Sequence, residues 1–159
     1  MHRILCILVL VFFAAACTNS SAANGVQGTY TVNGTPAILT HATAQTGREF
    51  AGDPTTFLIF SEKPAGKDKN PDFSAQDGKY GNAVVIQLHK KGDNWDVIGS
   101  SFSHAAMKRH GLGGTGLVNA SDMKMADGQL TGHLTMAPGG ADMFGESIQL
   151  DLHFHVVLP

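Results

Sequence analysis

The stretch SIQLDLHFHVVL, Ser147 to Leu158, constrains the fold more than any other. Ile148, Leu150, Leu152, Phe154, Val156 and Leu158 occupy every second position. Successive side chains of a strand point to opposite faces, so this pattern is a strand with one dry side. The apolar set faces a core. Gln149, Asp151, His153 and His155 then share the wet side.

Other segments follow the same logic. Thr29 to Val32, Asn33-Gly34 and Thr35 to Ala44 read as a hairpin with a tight primed turn. Phe57 to Phe60 is a short apolar run. From Ala83 to His89, Val84, Ile86 and Leu88 face one way and Val85, Gln87 and His89 the other. Gly92-Asp93-Asn94 turns the chain into Trp95 to Phe102. Asp127-Gly128 separates Leu117 to Met125 from Gln129 to Met136. About eight short strands joined by turns predict an all-β, single antiparallel domain, a small barrel or a sandwich. The tight hairpins lean toward barrel closure. Ser103 to His110 alone is expected to be helical. Residues 61–81 form a long polar loop, expected to be irregular at the surface or disordered. Within it, Lys67, Lys69, Phe73 and Tyr80 are the residues that would meet a partner.

The N-terminus, MHRILCILVLVFFAAAC, has a positive Arg3, an apolar run from Ile4 to Phe13 and three alanines. That is the pattern of a cleaved signal peptide, residues 1–16. With Cys17 next, it resembles the bacterial lipoproteins, whose lipobox ends in small residues before a cysteine. The resemblance covers residues 1–17 and departs from the usual pattern at Ala14, where leucine is commonest. It implies lipidation at Cys17, a flexible tether over 17–25, a β domain over 26–159, and anchoring in the outer membrane facing the periplasm.

With Cys6 removed alongside the leader, the mature chain has no thiol beyond Cys17, hence no disulfide, cysteine nucleophile or thiolate metal site. The whole chain carries a formal charge of −2 and no basic patch, which disfavours nucleic acid. Gly111 to Gly116 spells G-x-G-x-x-G but lacks the strand and helix a dinucleotide site needs; a tight corner is expected. There is no G-x-S-x-G elbow.

The histidines carry the remaining chemistry. Side chains two apart on a strand stand roughly 6.5–7 Å apart at the backbone, so His153 and His155 can share an ion with added ligands. If Met136 pairs with Glu146, His133 lies opposite Gln149, about 13 Å along the strand from His153, and is out of reach. On a helix, His104, Met107 and His110 would line one side, a soft set suited to copper, with Met123 and Met125 as a further pair. A polar strand face and a core-filling Met are the plainer alternatives. His41 shares a face with Tyr30, Val32 and Leu39, as a buried core imidazole or a polar group in a cavity.

These features lead to a lipid-anchored, non-enzymatic binding module without cofactor, whose partner is a protein or a small ligand. One version is an inhibitor or immunity protein. The alternative is a copper- or zinc-binding envelope protein; the third is a hydrolase.

Overall fold

The computed structural model describes residues 24–143 and 145–159. The expected signal peptide and Cys17 lie outside the described residues. The chain is all-β. Its strands are β1 (Gly25–Val32), β2 (Thr35–Ala37), β3 (His41–Thr46), β4 (Thr55–Ser61), β5 (Ala83–Lys91), β6 (Asn94–Ser103), β7 (Leu112–Gly114), β8 (Val118–Ala126), β9 (Gln129–Met136), β10 (Asp142–Met143) and β11 (Glu146–Val157). One short helix, α1 (Pro71–Gln76), interrupts them.

The strands form two antiparallel sheets. The first runs β2-β1-β11-β9-β8, with β10 added to the start of β11, and the second runs β3-β4-β5-β6-β7. Two separate sheets make a sandwich, not the closed barrel that the hairpins favoured. Their inner faces share one apolar core. Leu130, Leu134, Ile148 and Leu152 come from the first sheet; Leu58, Phe60, Val84, Ile86 and Phe102 from the second. Each such fully buried aliphatic or aromatic side chain contributes about 1.5–3 kcal/mol. The alternation read in β11 and β5 is the alternation observed.

The Asn33-Gly34 turn sits where expected, with Asn33 at φ 51° and Gly34 at φ 77°. Val32 pairs with Thr35 and Tyr30 with Ala37. The hairpin then stops. Leu39 does not reach Gly28, because the chain crosses to the other sheet and β3 begins at His41. His41 is therefore half-buried on an edge strand opposite Ser61, not a core imidazole beside Tyr30. Pro36 on β2 cannot donate to a neighbouring ladder.

The 61–81 segment is built, not loose. Asp68 organises it by accepting from Asn70 N, Ser74 Oγ, Lys79 Nζ and Tyr80 Oη, at 3.0, 2.8, 2.6 and 2.6 Å. Those donors hold its carboxyl well below the usual carboxylate range, the Lys79 contact foremost. Beneath it, Ala75 and Tyr80 pack on Ile59, Ala83 and Val85, a second small core on the outer face of the second sheet.

Ser103 to His110 is a run of turns instead of a helix. The His104 Nδ1 accepts the Ala106 N–H at 3.0 Å, and Met107 N donates to the His104 carbonyl three residues back. A side chain that captures a backbone donor competes with the helical ladder.

Candidate metal centre

The outer face of the first sheet carries the cluster that matters. In β11, residues 146 and 147 pair with β10, so β9 enters the ladder only at Thr135↔Asp151. That slides β9 four positions from the expected register. His133 therefore stands directly opposite His153, not opposite Gln149. The expectation that His133 is out of reach is overturned.

The two imidazoles stack, with centroids 4.0 Å apart and planes 10° from parallel. His133 Nε2 lies 2.8 Å from Asp151 Oδ1, a diagonal contact across the ladder. On its other side, His133 Nδ1 is 3.5 Å from Ser121 Oγ of β8. One donor atom from each of His133, Asp151 and His153 falls within 4.8 Å of the other two. Tetrahedral ligands at ~2.0–2.2 Å from an ion sit about 3.4 Å apart, so small side-chain rotations close this set. Asp151 and His153 are exposed and His133 is half-buried.

The donors are two nitrogens and one oxygen. Such a set suits Zn(II) or Cu(II), and leaves a coordination position open to water or another donor. A shallow depression of about 320 Å³, lined by Gly25, Gln27, Thr131, His153 and His155, adjoins it. His155 is not part of the triad. It is half-buried, and a Cβ on Gly25 would lie 2.5 Å from its Cε1, so its ring covers Gly25. The imidazole that stacks on His153 is His133, across the ladder, and not His155 along the strand.

The other expected sites fare differently. His104 is buried at 1% exposure and Met107 belongs to the core, while His110 is exposed, so they do not line one side of a helix. His110 Nδ1 instead meets Ser103 Oγ at 2.9 Å. Ser103 is itself 1% exposed, which closes that pair to a substrate. Met123 packs against the core, and Met125, opposite the buried Leu130 on the same inner face, is 45% exposed at the sheet's margin. Tyr80 is buried with its hydroxyl on Asp68 and is not a partner-facing residue. Lys67, Lys69 and Phe73 are exposed, and the Arg48 guanidinium lies 5.6 Å from the Phe73 ring centre. The Gly111–Gly116 run forms the edge strand β7 and its flanks.

No protein family, curated protein or solved structure matches the chain.

Proposed function

We propose that the protein is a non-catalytic, lipid-anchored envelope module that binds a divalent transition-metal ion at His133, Asp151 and His153. Anchoring through Cys17 in the outer membrane follows from the lipobox-like residues 14–17. The observation that carries the metal reading is the His133↔His153 cross-strand pair with Asp151 diagonal to it. The donors contain no sulfur, which favours Zn(II) or Cu(II) over Cu(I).

Calorimetric titration of Zn(II), Cu(II) and Cu(I) into the full chain tests it. One divalent ion per chain is expected, weakened at least about tenfold by either His133→Ala or His153→Ala. His155→Ala is expected to change little. Affinity is expected to fall in acid, because protons compete for imidazole nitrogen. Absence of binding, or binding indifferent to the His133 and His153 changes, overturns the assignment.

A second reading has one observation in its favour. The 61–81 segment is organised by Asp68 yet leaves Phe73 51% exposed, with the Arg48 guanidinium 5.6 Å from its ring centre and Lys67 and Lys69 exposed on the same segment. An exposed aromatic with a cationic neighbour fits a protein partner, including an enzyme held in check by this domain.

A further inference from the structure

The opposite face of the sandwich holds a second feature, independent of the histidines. On the outer side of the second sheet, α1 and the 61–81 segment pack on Ile59, Ala83 and Val85, with Phe57 partly buried against them. Starting at Val85 and Phe57, an open groove of about 380 Å³ runs over β5 and β6 to β7. That volume falls within the roughly 300–1,000 Å³ of small-molecule sites. Its floor follows the sheet register: Phe57, Gln87 and Gly99 make one row, and Val85, Ser101 and Gly113 the next.

The chemistry of the lining is specific. None of the residues bordering it is charged. An ionised ligand would find no counter-charge there, and burying a charge unpaired is costly. The polar side chains are the Gln76 and Gln87 carboxamides and the Ser100, Ser101 and Thr115 hydroxyls, that of Ser100 already donating to the Gly114 carbonyl. Each of these groups can both donate and accept. Gln87 donates to Thr55 Oγ1 at 3.2 Å, and its Oε1 sits 3.4 Å from where a Cβ on Gly99 would be, over the groove. The Ser101 hydroxyl oxygen is buried and meets no protein partner. A ligand group would satisfy that hydroxyl only by shifting the atoms that cover it. Phe57 supplies an apolar ring. The far wall is bare backbone: a Cβ on Gly113 would lie 2.2 Å from the Ser100 carbonyl oxygen, so only glycine fits.

We infer that this groove binds an uncharged carbohydrate ring. A sugar presents an apolar C–H face to an aromatic and a rim of hydroxyls that both donate and accept. Those are the two surfaces the groove complements. Bare glycine walls let a ring approach the backbone closely.

Titration of chitotriose, cellotriose and maltotriose into the full isotope-labelled chain, followed by amide NMR shifts, tests it, with tetra-alanine as the peptide comparison. At least one trisaccharide is expected to bind with Kd of ~1 mM or tighter and to shift the amides of Gly99, Ser101 and Gly113–Thr115. Gly99→Leu is expected to plug the groove and weaken binding at least about tenfold, since a Cβ there meets nothing closer than 3.4 Å. Ser101→Ala and Gln76→Ala, milder changes, are expected to weaken it several-fold. His133→Ala is expected to leave it unaltered, which separates this site from the metal centre. Failure of every trisaccharide, binding indifferent to Gly99→Leu and Ser101→Ala, or binding of tetra-alanine alone overturns the inference.

Discussion

Two single residues contribute to how the protein answers acid in different windows. Asp68 has its folded carboxyl held low by the donors around it, Lys79 first. Its contribution is complete above the unfolded value of ~3.9 and is lost only as pH falls toward the depressed one. The 61–81 segment is thus expected to stay ordered in mild acid. Asp68→Asn removes the charge that gathers those donors at any pH. Hydrogen exchange at Asn70 and Lys79 is expected to speed roughly tenfold in that variant, with the sandwich amides unchanged. His104 behaves differently. Its ring is buried, T-stacked on Tyr30 with centroids 5.3 Å apart, and burial pushes its pKa down. The unfolded chain, at about 6.5, then binds the proton first. Stability is complete above that value and falls as pH drops through the window between it and the lowered folded value. Thermal melts at about pH 7.5 and about pH 5 are expected to differ, and His104→Phe is expected to narrow the difference.

At the level of elements, β11 is the keystone, because it pairs with β1, β9 and β10 and carries Asp151 and His153 on its wet face. Leu152 is 2% exposed on the dry side. Leu152→Ala is expected to cost about 2–5 kcal/mol, read by denaturant unfolding. Much of this element was legible in advance. A period of two over Ile148 to Val156 admits one arrangement of faces, and Asn33-Gly34 admits few turns. What the sequence does not carry is register. Residues 137–146 are compatible with a plain connection, but Asp142 and Met143 form β10 and pair with Ser147 and Glu146 at the start of β11. No local signal in Gln129 to Met136 states where its pairing begins, so the His133↔His153 contact is a tertiary fact. The 103–110 segment misleads for a different reason. Ala105, Ala106 and Met107 favour a helix, and a single imidazole outcompetes them for a backbone donor.

Across the whole molecule, one polar clasp joins the first sheet to the β6–β7 connection. Asn33 donates through Nδ2 to the Ala106 carbonyl and to Glu146, and its Oδ1 accepts from Ser147 N. Glu146 is buried, and the Lys108 N–H and Asn33 hold its carboxyl below the ordinary range. Asn33→Ala removes these bonds and also places alanine at φ 51°. It is expected to lower the melting temperature of the whole domain, with Asn33→Gly recovering the backbone part alone, about 1 kcal/mol. The flanks of the sheets have a consequence of their own. β2 ends the first sheet with three residues, one of them a proline, and β7 ends the second with three residues. β8 is broken by a bulge near Asp122, at φ 54°, with Lys124 beyond it. None of these offers a neighbour a long, flat ladder. Three of the four end strands thus resist edge-to-edge zippering between copies, leaving the six-residue β3 as the flank where it would begin, while both broad faces, one bearing histidines and the other the neutral groove, stay open to the fluid around them.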